Sequence, residues 1–263
     1  MFTKQPIGIF DSGVGGTSIW KEIVRLLPSE NTIYLADSKH APYGNKSKKE
    51  IIALSIKNTE KLLEKNAKLV VVACNTATTN AIKILRETYP VPFIGIEPAI
   101  KPAALQSKTK KIGILATKGT LSSELFAQTS SLYAKGIQTI EIVGEGLVEL
   151  IETGNLHSKK LETLLLSYVQ PMIQKDIDYL VLGCSHYPYL IPLLQKMLPM
   201  HVKIIDSGLA VARQTKSILA EKQLLQQSAE NGRHLLYSND SLSALQRILS
   251  SATQSHTAEF MDF

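Results

Sequence analysis

Leu69-Val70-Val71-Val72-Ala73-Cys74-Asn75-Thr76 and Tyr179-Leu180-Val181-Leu182-Gly183-Cys184-Ser185-His186 are the two stretches on which the reading of this chain turns. Each is a short apolar run with β-branched residues, and each ends in a thiol followed by small polar groups. An apolar run of this length without polar alternation reads as a parallel strand buried on both faces. Ligands of open α/β sheets bind at the carboxyl ends of such strands. Cys74 and Cys184 are the only cysteines of the chain, so both thiols stand at such ends, in two similar settings.

Working outward, strand-like and helix-like segments alternate. Pro6 to Phe10 reads as a strand that enters the glycine-rich turn Asp11-Ser12-Gly13-Val14-Gly15-Gly16 and then a helix to about Leu27. A strand follows from Asn31 to Ala36. Ser47 and Glu50 have the spacing of a capping box and open a helix to Lys65. A helix to Tyr89 follows Cys74, then a strand at Phe93 to Ile96. The order then restarts with Lys111 to Leu115, followed by Ala116-Thr117-Lys118-Gly119. The first strands are 105 positions apart, the cysteine strands 110, and the strands ending at Glu97 and Asp206 109.

The expected fold is therefore α/β, with two similar lobes, parallel-type sheets, pseudo-two-fold symmetry and an active site in the cleft between them. Residues 1–97 with 208–263 are expected to form the first lobe, carrying Cys74, and residues 98–207 the second, carrying Cys184. The tail after Ser207 reads as a helix, a strand at His234 to Tyr237 and a further helix, packed back on the first lobe.

Bulk properties narrow the function. The chain has 263 residues, 44% of them hydrophobic and 20% charged, which is ordinary for a globular protein. The formal charge of +6 comes from scattered lysines rather than a basic stripe with aromatics, so no nucleic-acid partner is expected. A net positive field does favour an anionic substrate. No apolar run approaches membrane-spanning length, and no charged stretch precedes an apolar one near Met1, so neither a membrane nor an export signal is expected. A cytoplasmic protein with reduced thiols follows, which argues against a Cys74–Cys184 disulfide. No His/Cys/Asp cluster has ligand spacing, so no metal is expected.

Two thiols on opposite walls of one cleft suit the inversion of a carbon that bears an acidic hydrogen. One thiolate removes a proton and the opposite thiol supplies another, and the roles swap in reverse. Asp11 and His186 are the candidates to accept or relay protons. Each residue also has a plainer reading. A lone buried cysteine is usually a small hydrophobe, Asp11 could close a turn, and His186 could be structural. Glu152, at the end of a helix-like stretch from Leu147, reads by itself as surface. Gly13 to Gly16 is neither a Walker loop nor a complete dinucleotide fingerprint. A thiol hydrolase using Cys184 and His186 and a non-catalytic two-lobed binding protein are the rival classes; no lysine is singled out for a pyridoxal aldimine.

Ile7 to Gly16, Tyr34 to Ser38 with Ala41-Pro42-Tyr43-Gly44, Ala73 to Thr78, Leu182 to Pro188 and Ile205 to Gly208 together resemble the glutamate racemases of the aspartate/glutamate racemase superfamily. The resemblance runs from about Ile7 to Thr215. It implies an enzyme without cofactor that interconverts L- and D-glutamate and supplies D-glutamate for peptidoglycan, in a bacterial cytoplasm. Aspartate racemase, or a superfamily member acting on another acid, is the nearest alternative. By resemblance, Cys74 is the base for D-glutamate, assisted by Asp11, and Cys184 the base for L-glutamate, assisted by His186 and Glu152. Asp11, Ser12, Tyr43, Gly44, Asn75, Thr76, Thr117, Thr120, Ser185 and His186 match substrate-binding positions. Three departures stand out: Ser185 replaces a usual threonine, Lys39-His40 replaces a small residue and arginine, and Gly144-Glu145-Gly146 lacks a cysteine-proline pair. The assembly is left open, with a homodimer as one arrangement.

Overall fold

The computed structural model describes residues 2–250, 252 and 254–263. Among the described residues, ten strands form two wholly parallel sheets. The first holds β1 (Ile7–Asp11), β2 (Thr32–Ala36), β3 (Leu69–Val72), β4 (Phe93–Gly95), β9 (His234–Ser238) and β10 (Thr257–Phe260), in the order β10-β9-β2-β1-β3-β4. The second holds β5 (Lys111–Ala116), β6 (Gln138–Val143), β7 (Tyr179–Gly183) and β8 (Lys203–Ile205), in the order β6-β5-β7-β8. The runs β2-β1-β3-β4 and β6-β5-β7-β8 have the same connectivity, which is the duplication expected from the strand spacings.

The central strands explain the unbroken apolar runs. Every residue of β1, β3 and β7 is buried, because helices cover both sheet faces. Burying one Ile, Val or Leu side chain contributes about 1.5–3 kcal/mol, so these strands anchor the lobes. Helices α1 (Thr17–Leu26), α2 (Lys48–Glu64), α3 (Asn75–Thr88), α4 (Ile100–Gln106), α5 (Lys118–Leu121), α6 (Glu124–Tyr133), α7 (Leu147–Glu152), α8 (Lys159–Gln174), α9 (Ile191–Met197), α10 (Gly208–Glu221) and α11 (Leu242–Leu249) complete the chain. The capping box is present: Glu50 N donates to Ser47 Oγ, and Ser47 N to Glu50 Oε2.

Two strands were not expected. β6 is half-exposed at a sheet edge, and Gln138, Thr139 and Glu141 interrupt its apolar pattern. β10 is a short edge strand with little buried surface. The tail does pack on the first sheet: β9 pairs with β2, and α10 lies against α1. Among the described residues, no helix is long and apolar enough to cross a membrane.

Candidate active site

The carboxyl ends of the two sheets meet at a narrow cavity. The first sheet's side contributes Ser12, Pro42, Tyr43, Gly44, Cys74, Asn75 and Thr76, and the second contributes Thr117, Val148, Cys184, Ser185 and His186. Both thiols are free and buried, and both line this one space.

Cys74 itself caps α3. Its sulfur accepts from Ala77 N at 3.4 Å and lies 3.6 Å from Ser12 Oγ. A helix N-terminus favours a thiolate. Burial opposes it more strongly and, with the nearby Asp11 carboxylate, pushes the thiol well above its ordinary value. Cys74 therefore rests as a thiol until the cavity's charge changes. Cys184 differs, because no α-helix follows it directly. Pro188 and Pro192 interrupt the chain, a 3-10 turn covers Tyr187–Leu190, and α9 starts only at Ile191.

His186 replaces the helix as the partner of Cys184. Its Nδ1 lies 3.7 Å from the Cys184 sulfur, and its Nε2 donates to Glu152 Oε1 at 2.5 Å. Burial alone disfavours the imidazolium, but hydrogen bonds to Cys184 and Glu152 outweigh it and hold the ring well above its usual value. Helix α7 sets this up, since Val148 and Glu152 are four residues apart and share a face. Val148 reaches the cavity while Glu152 stands behind His186. The surface reading of Glu152 is wrong because, besides His186, two of its partners come from loops of the other sheet. Val14 N donates to Oε1 at 2.7 Å and Ser38 Oγ to Oε2 at 2.9 Å.

The glycine-rich turn has its reason here, not in phosphate. A Cβ on Gly13 would lie 2.1 Å from Glu152 Oε1, and one on Gly15 2.2 Å from His186 Nδ1. Only backbone fits between the turn and the pair, and Tyr34 holds it there by donating to Gly13 O at 2.7 Å.

Asp11, Thr120 and Glu152 do not line the cavity; they form a layer behind it. Asp11 is fully buried, accepts from Ser185 Oγ at 2.8 Å and from Gly13 N at 3.1 Å, and faces Cys74 through its charge rather than a hydrogen bond. Burial pushes its carboxyl above its ordinary value. Thr120 backs a cluster in which Thr76 and Thr117 hydroxyls meet at 2.8 Å across the lobes. Tyr43 lines the space, but its hydroxyl donates to Asp37 and accepts from Asn58 at 3.0 Å. Asn75 is the reverse case. It is 2% exposed, and neither side-chain polar atom has a partner in the protein. Buried amides are normally satisfied, so Asn75 points to a polar ligand.

Residues 7–215 match the family described as Asp/Glu/Hydantoin racemase. The chain belongs to this family. A glutamate racemase of Pseudomonas putida (strain W619) is 50% identical over 223 residues, 84% of each chain. A glutamate racemase isoform of Bacillus anthracis superposes with a TM-score of 0.88 at 30% identity, covering 99% of this chain and 98% of that one. The Escherichia coli glutamate racemase, solved with L-glutamate and the activator UDP-MurNAc-ala, gives 0.85 at 31% identity, covering 98% of both.

Within this racemase-family site the residues at the three departures make contacts of their own. Ser185 retains the hydroxyl that reaches Asp11. His40 bonds the buried Asp37 through Nδ1 at 2.6 Å. Gly144 accepts from the Tyr187 hydroxyl at 3.0 Å, and a Cβ there would lie 2.3 Å from that oxygen. Ser38 was named in the sequence only within a matched segment. Its role as partner of Glu152, 114 residues away, has no local signal.

Proposed function

We propose that the protein is a cofactor-independent glutamate racemase working by two-base proton transfer. Cys74 as thiolate takes the α-proton of D-glutamate, and the C–H electron pair stays on carbon. Cys184 as thiol delivers its proton to the opposite face, giving L-glutamate and a Cys184 thiolate. L-glutamate reacts by the same steps in reverse. Between turnovers Asp11 exchanges protons on the Cys74 side, and the His186–Glu152 pair does so on the Cys184 side. The carbanion-like transition state is met by preorganised polar groups: the Asn75 amide and the hydroxyls of Ser12, Thr76 and Thr117 around the substrate carboxylates, with the Ser185 hydroxyl turned to Asp11. Exclusion of water strengthens each of these contacts.

The observation that carries this reading is the shared cavity. Two thiols from corresponding strand ends line it, together with an amide side chain that has no protein partner. Similarity to glutamate racemases, one solved with L-glutamate, favours glutamate as the substrate. The same reading assigns residues 1–97 and 208–263 to the Cys74 lobe and 98–207 to the Cys184 lobe. The product D-glutamate would feed peptidoglycan synthesis in the cytoplasm.

The test is deuterium incorporation at Cα in D2O, starting from each enantiomer of glutamate and of aspartate, with wild type, Cys74→Ser and Cys184→Ser. Wild type is expected to exchange and racemise glutamate, and each variant to lose racemisation while keeping its fold. Ordinary turnover by Cys74→Ser would refute the two-base scheme and favour single-thiol chemistry at Cys184.

A further inference from the structure

We propose that Asn239, beyond the family-matched residues 7–215, is a positioning residue for the His186–Glu152 pair and acts through Ser38. The inference rests on the role given to that pair above. Asn239 follows β9 and is 4% exposed. Its side chain bonds the residues on either side of Ser38: Nδ2 donates to Asp37 Oδ1 at 2.5 Å, and Oδ1 accepts from Lys39 N at 3.0 Å. Its backbone N–H donates to Ala36 O at 3.3 Å. Three contacts thus hold the 36–39 segment, and from its middle Ser38 Oγ reaches Glu152 Oε2 at 2.9 Å. The other oxygen of Glu152 serves Val14 and His186. Ser38 therefore fixes the carboxylate's rotation, and with it the direction of the bond to His186.

Chemistry explains the residue type. Asp37 is a buried carboxylate that burial pushes up, but bonds from His40, Tyr43 and Asn239 and the charge of Lys57 hold it below its ordinary value. The group facing it must donate. The Lys39 N–H needs an acceptor. A primary amide supplies both from one planar unit, whereas aspartate would set two carboxylates together. The same C-terminal stretch reaches the other side of the contact, where Arg247 of α11 donates to Thr153 O, one residue past Glu152.

Asn239→Ala, Ser38→Ala and their combination decide the matter. Each single variant is expected to lose roughly tenfold in kcat/KM, since a shift near 1 Å at a reacting group costs about 10²-fold and this one is smaller. The double variant is expected to be no slower than the slower single, because both act through one contact. The low-field proton resonance of the His186–Glu152 bond should move in both singles. Tyr89→Phe, which removes an exposed hydrogen bond to Glu60 away from the site, should leave turnover and resonance unchanged. If Asn239→Ala does not fold, Asn239→Ser is measured in its place. Wild-type turnover with an unmoved resonance, or losses that multiply in the double variant, overturns the proposal. Unchanged turnover in Glu152→Gln would instead overturn the reading of the pair itself.

Discussion

Gly15→Ala isolates the contact between the glycine-rich turn and His186. The added Cβ would sit 2.2 Å from His186 Nδ1 and 2.4 Å from its Cγ, where ordinary contact begins at 3.4 Å. The ring must therefore retreat by 3.4 − 2.2, or about 1.2 Å. It is 1% exposed and held on its far side by Glu152, so the retreat breaks alignment with Cys184 or with Glu152. A misplacement of this size costs about 10²-fold in rate, equivalent to about 2.7 kcal/mol. The Gly15 backbone is not left-handed, so alanine adds a clash without backbone strain. Overpacking costs about 1–3 kcal/mol, which leaves the variant folded against a typical stability of about 5–15 kcal/mol. The assay is kcat/KM from L- and from D-glutamate, alongside a thermal melt. Both values must fall together, because enantiomers have equal free energy. Gly136→Ala is the control: its φ of +77° costs stability, but nothing lies within 4 Å, so turnover should hold. Gly15→Ala with near-wild-type kcat/KM in both directions would refute the reasoning.

Asn75→Ala removes two buried, unpaired polar atoms, each costing about 1–3 kcal/mol when unsatisfied. It should melt no lower than wild type while KM rises at least about tenfold, as for other lost buried bonds to substrate; a lower Tm with unchanged KM contradicts this. The His186 imidazolium is favoured in the folded state, so its stabilisation is complete below about pH 6.5 and fades as pH rises through the raised value. The stability gap between wild type and Glu152→Gln should therefore shrink as pH rises above about 6.5; urea titrations in which it widens would oppose the assignment. Lys68 and Glu30 form a buried ion pair at 2.5 Å, away from the cavity. Lys68→Ala should cost about 3–5 kcal/mol by urea unfolding and leave kcat unchanged; a cost near zero would show that Glu30 finds another partner.

Both sheets were legible where burial is complete. Leu69–Val72 and Tyr179–Gly183 advertise their positions because no polar residue interrupts them. Strand β6 was not legible, since Thr139 and Glu141 face outward from an edge and dilute the apolar signal. Among site residues, Cys74, Asn75, Cys184 and His186 were found because they directly follow buried strands. Glu152 came only by resemblance. Asp11 was read by resemblance as assisting Cys74; that one of its two hydrogen bonds is accepted from Ser185 in the opposite wall had no local signal.

Sequence alone determined that two thiols end two similar strands, and that a duplicated parallel α/β unit carries them. Local burial patterns and strand spacing suffice for that, because each is a property of a few neighbouring residues. Only the tertiary structure decided which groups touch. Glu152 meets Val14 across 138 residues, Asp11 meets Ser185 across 174, and Asn239 meets Asp37 across 202. Such bonds depend on how one lobe docks on the other and how the tail folds back. No periodicity within a segment encodes the partner of a side chain that leaves the segment.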